Sequence, residues 1–233
     1  MTLGLLIVAV AAGPASARDV RLVPSGTLLR APSTTPTVTV TPATGCQSLL
    51  RTGTGDCGVV HAAGGDLVFT VEAGPVAQDG LVSRPWTVTI YRAAPSVPNG
   101  WQAALVTRAP GSDPAALYAN VTAKPADLTG DGHQSLVIGY RAEGTGEILD
   151  LDIVVGTPKG PRVAVHSQFY RGVIQIAPGH LVTYVPIYRT RDGNCCPSFT
   201  ERDEIRNRKG RFVLTTGPRF PTRTVDIPPG DLG

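Results

Sequence analysis

Ten short segments in which apolar and polar residues alternate, or nearly alternate, follow one another along most of this chain. A period of two places successive side chains on opposite faces of a strand, whereas an amphipathic helix needs a period near 3.6 residues. Gly, Pro, Asn or Asp separates most of the segments, as in the turns of an antiparallel sheet. The segments are 66–72, 86–92, 101–108, 134–141, 148–155, 162–169, 172–176, 180–188, 199–206 and 211–215.

This pattern predicts an all-β fold, a single antiparallel sandwich or barrel-like domain with little or no helix after the N-terminal segment. One helical turn is predicted at 113–119, where Asp113 can cap and Pro114 takes the first helical position. Frequent strands are also typical of a propeller, but no blade-sized unit recurs along the chain. A sandwich or barrel is therefore the expected architecture.

Residues 1–17 are predicted to be a cleaved secretory signal peptide. An apolar run over 1–12 is followed by a Gly-Pro break and by small residues at 15–17, where signal peptidase cuts. The run is shorter than the about 20 apolar residues that span a bilayer, so no transmembrane segment is expected after cleavage. The first positive charge is Arg18, whereas signal peptides normally open with Lys or Arg. The alternative is an apolar first strand of a cytosolic protein.

The remaining chain divides into three predicted regions. Residues 31–45 are rich in Thr and Pro, which favours an extended chain that buries little apolar surface. We therefore expect a Thr/Pro-rich spacer over 18–45, the all-β domain over 46–217 and a loose, Pro-rich tail over 218–233. The alternating β-branched residues at 37–41 allow an edge strand as the alternative to a spacer at that point.

The charge balance argues against one class of partner. The chain has 21 Lys and Arg residues against 18 Asp and Glu, a net charge of +3. A dedicated nucleic-acid-binding protein would carry a concentrated basic face. We therefore expect an envelope or extracellular ligand and no nucleic acid.

The strongest local motif is Asp-Leu-Thr-Gly-Asp-Gly at 127–132, directly before an apolar strand. It resembles the calcium loops of FG-GAP and VCBS-type extracellular repeats, in which alternate oxygens surround a hard cation. The resemblance implies low affinity, on the order of 10⁻⁴–10⁻³ M, because two positions that usually carry Asp hold Thr and Ser. The alternative is a turn whose aspartates accept hydrogen bonds from local amides. The implied calcium ligands are Asp127, Thr129, Asp131, the carbonyl of His133, and Ser135.

Four cysteines in an exported chain are expected to form disulfides. Cys46 and Cys57 can close a short loop, and we favour this bridge, which leaves the adjacent Cys195 and Cys196. Two long-range bridges from Cys46 and Cys57 to the adjacent pair are the alternative, since four cysteines allow three connectivities. A zinc site or a nucleophilic cysteine would need a histidine at closer spacing than the chain provides.

The adjacent cysteines lie in Asp-Gly-Asn-Cys-Cys-Pro-Ser at 192–198, between a Tyr-rich strand and a charged strand. This arrangement resembles a Cys-Cys-Pro segment of actinobacterial secreted proteins and lipoproteins of unknown role, including the LppP/LprE-type lipoproteins. The resemblance covers about the last hundred residues and implies no catalytic role.

No catalytic constellation stands out. Gly-x-Ser-x-Gly is absent, and the Gly-x-Gly-x-x-Gly text at 53–58 lacks the strand before it and the helix after it that dinucleotide binding needs. The four histidines lie far apart in sequence. The best acid–base candidates are His166 or His180 with Asp150 or Asp152, but solvated sheet faces are the favoured explanation of these residues.

The sequence therefore favours an exported, non-enzymatic binding or structural module of the cell envelope with an unknown ligand. An envelope hydrolase with a dispersed His/Asp site is one alternative. A calcium-stabilised adhesion module is the other.

Overall fold

The computed structural model describes residues 18–19, 38–39, 45–51, 55–75, 84–94, 100–108, 119–142, 148–193, 195–224, 227 and 229–232. Fifteen strands and two short 3-10 helices lie in these ranges, which contain no α-helix. The predicted signal peptide and nearly all of the predicted helical turn at 113–119 lie outside them. No helix of this part of the chain has the length and apolar character needed to cross a bilayer.

The strands form three antiparallel sheets of five strands each. The strand order across the front sheet is β2 (Val38–Thr39), β6 (Gly100–Arg108), β5 (Trp86–Ala93), β4 (Gly65–Ala73) and β3 (Asp56–Ala62). The strand order across the middle sheet is β1 (Arg18–Asp19), β10 (Gly160–Tyr170), β9 (Ile148–Thr157), β8 (Ser135–Arg141) and β7 (Asn120–Ala126). The back sheet contains β11 (Val173–Ala177), β12 (His180–Ile187), β13 (Phe199–Arg208) and β14 (Arg211–Thr215), with β15 (Arg219–Pro221) also paired to β13. The 3-10 helices are η1 (Gly45–Leu49) and η2 (Thr222–Thr224).

The front core lies between the front and middle sheets. Its members are apolar side chains from alternate positions of the facing strands, as the period of two requires. Its members include Phe69, Val71, Val88, Ile90 and Leu105 of the front sheet and Leu136, Ile138, Tyr140 and Val154 of the middle sheet.

The back core lies between the middle and back sheets. It uses the opposite set of alternate positions on the middle strands, so the middle sheet is covered on both faces. The all-β sandwich that the sequence predicts is confirmed, in a three-layer form. Its chief members are Leu149, Leu151, Ile153 and Phe169 of the middle sheet and Ile174, Leu181, Ile205 and Phe212 of the back sheet.

A disulfide holds η1 against the outer face of the front sheet. Cys46 and Cys57 are bonded, which confirms the favoured pairing. Beside the bridge, Leu49 packs with Val68 and Tyr91 in a third, smaller core. The bridge therefore fixes the entry of the chain into β3 and closes that core.

Short pieces of the predicted spacer lie at sheet edges. Val38–Thr39 pairs with β6, and Arg18–Asp19 pairs with β10. At 38–39 the structure therefore agrees with the edge-strand alternative, since two residues of the 37–41 segment extend the front sheet.

Residues 218–224, 227 and 229–232, the described part of the C-terminal segment, differ from the loose tail that its composition predicts. The amide of Asp231 donates to the carbonyl of Ile174 at 2.8 Å, and its carboxylate accepts from the amide of Ile176 at 2.7 Å. Leu232 is fully buried in the back core. The prolines do prevent a long strand here, but one apolar side chain and one carboxylate suffice to fix the segment. The expectation of a loose tail is therefore wrong for the described residues.

Candidate functional site

One candidate ligand site is a cavity of about 390 Å³ at one end of the front and middle sheets. Its walls are the β3–β4 turn, the end of β5, the beginning of β6 and the β9–β10 turn. Asp66, Arg92 and Trp101 line it, and they come from three different strands. Small-ligand sites commonly have this size, and their lining combines apolar side chains with a few polar groups.

Two hairpin turns meet at close range to form this cavity. A Cβ atom built on Gly64 would lie 2.3 Å from the carbonyl oxygen of Thr157, and one on Gly156 would lie 2.4 Å from the Cβ of Ala62. No larger residue fits at either glycine without displacing the other hairpin. The Thr157 hydroxyl also donates to the carbonyl of Gly160 at 2.7 Å, which tightens the β9–β10 turn. The walls of the cavity are therefore well defined by backbone contacts.

Arg92 is the cationic group of the cavity. It is exposed and has no hydrogen bond or ion pair with the residues that the structure describes. A Cβ on Gly160 would lie 3.8 Å from its Nη1, so the guanidinium reaches the β9–β10 turn. Its five donors are therefore available to a ligand.

The anionic side of the cavity is an aspartate paired with a histidine. Asp66 Oδ1 lies 3.0 Å from His61 Nδ1, and both side chains are exposed. The His61 amide donates to the Gln134 side chain, and the Gln134 amide donates to the His61 carbonyl. This reciprocal pair ties the end of β3 to the residue before β8 of the middle sheet.

Sequence reasoning did not identify this cavity. Its residues come from four separate stretches of chain and form no motif. The one available signal was Trp101, a large aromatic residue at the beginning of a predicted strand, and composition alone does not distinguish it from a core residue.

The residues of the hydrolase alternative lie elsewhere, between the front and middle sheets. Asp150 and Asp152 share one face of β9, but they are only 1% and 4% exposed. The interpretation of this face as solvated is wrong, because the front sheet covers it. Asp152 Oδ1 lies 2.9 Å from Nδ1 of its cross-strand partner His166, and Gln168 donates to Asp150 at 2.9 Å.

Ser167, the residue that follows His166 in the chain, does not supply a nucleophile to the His166–Asp152 pair. Ser167 is fully buried, and as the neighbour of His166 on a strand it faces the opposite core. His180, the other candidate base, lies on the back sheet with its Nε2 3.9 Å from Glu204. Arg206 and Arg202 donate to Glu204 and lower the pKa of that carboxyl to about 2. His180 therefore lies beside the ion pairs of Glu204 with Arg202 and Arg206 on the back sheet, and not beside Asp150 or Asp152.

The loop at 127–132 forms a compact turn. The Asp127 carboxylate accepts from the amides of Gly130 and Gly132 at 2.7 and 2.9 Å, and these bonds, with Gly132 the largest cause, lower its pKa. The Thr129 hydroxyl donates to Asp131 and lowers the pKa of that carboxyl. Both glycines have positive φ, as the sharp reversal requires.

The other two implied calcium ligands have different surroundings. The His133 side chain is exposed, and its amide donates to Asp131 at 3.0 Å. Ser135 is buried as the first residue of β8, where it pairs with Ala126. No group of three or more His, Cys, Asp or Glu side chains in the described ranges is arranged to hold a metal ion. The geometry matches the turn alternative, and calcium binding stays a prediction.

We expect the melting temperature of the full chain to be the same in excess calcium and in excess chelator. The carboxylates of Asp127 and Asp131 already accept amide and hydroxyl hydrogens, and a cation would have to displace several of them. Differential scanning calorimetry in the two buffers measures this. A midpoint that rises with calcium in the native chain but not in Asp131→Asn would instead establish the calcium site.

The Cys-Cys-Pro segment is organised by one aspartate. Asp192 accepts from the amides of Arg189 and Ser198 at 2.7 and 2.8 Å and from the Ser198 hydroxyl at 2.7 Å. The Arg189 amide is the largest cause of the lowered pKa of Asp192. Cys195 and Cys196 are paired with each other, so the alternative of two long-range bridges is wrong. Cys195 and Cys196 are exposed, and the carbonyl of Ser198 accepts from the amide of Thr222 at 3.1 Å.

The fold and the cavity define a three-sheet, all-β protein with a small cavity at one end. No family model, curated protein or solved structure matches the chain. The resemblances of the 127–132 loop and of the Cys-Cys-Pro segment therefore stay predictions from the sequence.

Proposed function

We propose that this chain is an exported, non-enzymatic binding module of the cell envelope, with its ligand in the cavity between the two hairpin turns. The observation that carries the proposal is Arg92, which lines a cavity of about 390 Å³ and has no hydrogen bond or ion pair with the residues that the structure describes. Ligand sites are typically concave and contain a few polar groups that orient the ligand, and Arg92 is such a group at this cavity.

Export is supported by the cysteines and by the N-terminal segment. The Cys46–Cys57 bridge closes a third core on the front sheet, and such structural disulfides persist in oxidising compartments. The apolar run over 1–12 and the small residues at 15–17 fit a signal peptide. A structural role in the envelope would need the same export but no ligand.

A binding role is favoured over hydrolysis by the position of the His–Asp pair. His166 and Asp152 do not line the cavity, and Asp152 is covered by the front sheet. The 2.9 Å contact between them is nevertheless the specific observation for the hydrolase alternative. Turnover of an envelope polymer that disappears in Asp152→Asn would favour that alternative.

Export is tested by expressing the full chain in a bacterium with a general secretion pathway and fractionating the cells. We expect the protein outside the cytoplasm, with a mass that matches cleavage after Ala17 and the loss of all four thiol hydrogens. Intact-mass spectrometry with and without alkylation measures both. Full-length protein in the cytoplasm with free thiols would contradict the proposal.

A further inference from the structure

We propose that the Cys195–Cys196 pair is a reversible thiol–disulfide exchange site, which a dithiol reduces while the Cys46–Cys57 bridge stays oxidised. A dithiol here is a molecule with two thiol groups that can form a disulfide with each other. The proposal goes beyond ligand binding, because neither cysteine of this pair lines the cavity between the hairpin turns.

The two disulfides differ in how easily a thiol in solution reaches them. Cys195 and Cys196 are both exposed, in the loop between β12 and β13. Cys46 is only partly exposed and packs against the small core on the front sheet. Cys57 is also partly exposed and lies within β3, opposite Thr70 of β4. Since exchange requires a thiolate to approach one of the two sulfurs, the adjacent pair is the more accessible target.

The two disulfides also differ in what their reduction costs the folded chain. Reduction of Cys46–Cys57 opens a loop between residues 11 positions apart, which gives the unfolded chain more freedom. The adjacent cysteines enclose no residue, so their reduction gives almost none. Because this coupling is reciprocal, folding protects a bridge from reduction by as much as the bridge stabilises the fold. The adjacent pair therefore has little of the protection that Cys46–Cys57 has.

The loop around the adjacent pair is held by hydrogen bonds that do not involve sulfur. The Asp192 carboxylate accepts from the amides of Arg189 and Ser198 and from the Ser198 hydroxyl. Within this loop, the Cys196 amide donates to the carbonyl of Gly193 at 3.0 Å. These bonds can persist in the reduced chain, where they keep the two thiols close together. The same loop can therefore form the disulfide again when an oxidised dithiol is present.

The exchange consists of two steps, and its atoms and electrons balance. The thiolate of the dithiol attacks one sulfur of the pair, the S–S bond breaks, and the leaving sulfur takes up a proton. The second thiol of the reductant loses its proton and attacks the mixed disulfide, which releases the other cysteine as a thiolate that is then protonated. The pair gains two electrons and two protons, and the dithiol becomes a disulfide. No other reactant is needed.

The test measures which thiols appear as the reducing power rises. The full oxidised chain is equilibrated, without denaturant or oxygen, in mixtures of dithiothreitol and its oxidised form, and free thiols are trapped with N-ethylmaleimide. Intact mass counts the trapped thiols, and peptide mapping assigns them. We expect two thiols, Cys195 and Cys196, to appear at a ratio of reduced to oxidised dithiothreitol at least about 10-fold lower than the ratio that reduces Cys46–Cys57.

Two double variants and one stability measurement accompany the titration. Cys195→Ser/Cys196→Ser should lose the first transition, whereas Cys46→Ser/Cys57→Ser should keep it at the same ratio. The chain that is reduced only at the adjacent pair should melt within about 2 °C of the oxidised chain, because no loop has opened. Excess oxidised dithiothreitol should then restore the pair. If Cys46→Ser/Cys57→Ser does not fold, the native chain and the other variant still separate the two bridges.

Four results would overturn the proposal. They are the appearance of all four thiols together, the reduction of Cys46–Cys57 first, the absence of trapped thiols until the chain unfolds, and a reduced pair that oxidised dithiothreitol does not restore. None of these measurements involves export or a ligand in the cavity. A failure of the exchange site would therefore leave the proposed function standing, and a failure of export would leave the exchange site standing.

Discussion

Leu232→Ala is expected to destabilise the protein by about 3 kcal/mol. Leu232 is fully buried near the C-terminal end, in the core between the middle and back sheets, and a Cβ on Gly139 would lie 2.9 Å from its own Cβ. Removing its branched end leaves a cavity that the packed sheets fill only partly, so the lost transfer energy and the cavity add. Urea unfolding followed by tryptophan fluorescence measures the difference.

Val59→Ala is the matched control for this prediction. Val59 is an apolar residue that is 43% exposed on the edge strand β3, so shortening it should change stability by no more than about 0.5 kcal/mol. If Leu232→Ala unfolds at the same urea concentration as the native chain, the C-terminal residues do not belong to the core.

The double variant Cys46→Ser/Cys57→Ser is expected to lose about 3 kcal/mol of stability. The bridge joins residues 11 positions apart, and without it the unfolded chain gains the freedom of that loop. The contacts of Cys46 with the core of Leu49 and Val68 would weaken as well. The measurement is the urea midpoint of the double variant against that of the oxidised native chain.

Cys195→Ser/Cys196→Ser supplies the control for the disulfide. The two residues are adjacent and exposed, so their pairing closes no loop of intervening residues. We expect a change of at most about 0.5 kcal/mol. Equal losses in the two double variants would show that the Cys46–Cys57 bridge does not stabilise the fold through its loop.

The alternation of apolar and polar residues was enough to find ten strands of the fold. Of the five strands outside these ten, the two longest, β3 and β7, are both at sheet edges. β7 contains Lys124 and Pro125, and a proline without an amide hydrogen is tolerated where no further strand pairs. β3 contains Gly58, where a Cβ would lie 2.7 Å from the Phe69 ring. Each strand therefore contains a residue, Pro125 or Gly58, that interrupts the alternating pattern and that its place in the sheet explains.

The alternation of apolar and polar residues does not predict which face of a strand is covered by another sheet. The pattern places Asp150 and Asp152 on one side of β9 and the leucines on the other, and this is what the sheet shows. Only the stacking of three sheets decides that the aspartate side is inside. Cross-strand hydrogen bonds to His166 and Gln168 make this burial tolerable, and they depend on the register with β10.

The cavity lies beyond sequence reasoning for a related reason. It exists because Gly64 and Gly156 let two hairpin turns approach closely, and these turns are more than 90 residues apart in sequence. Each glycine by itself predicts only a turn. The bridge between Cys46 and Cys57 was predictable as one of three connectivities, since short spacing favours it.

The middle sheet has a role that neither outer sheet shares. Its strands β8 and β9 supply side chains to both cores from successive positions, so each core loses one wall if these strands separate. Neither outer layer can detach without exposing a face that contains buried aspartates or leucines to water. The two cores are thus thermodynamically coupled through their common wall, and the stability of each half depends on that of the other.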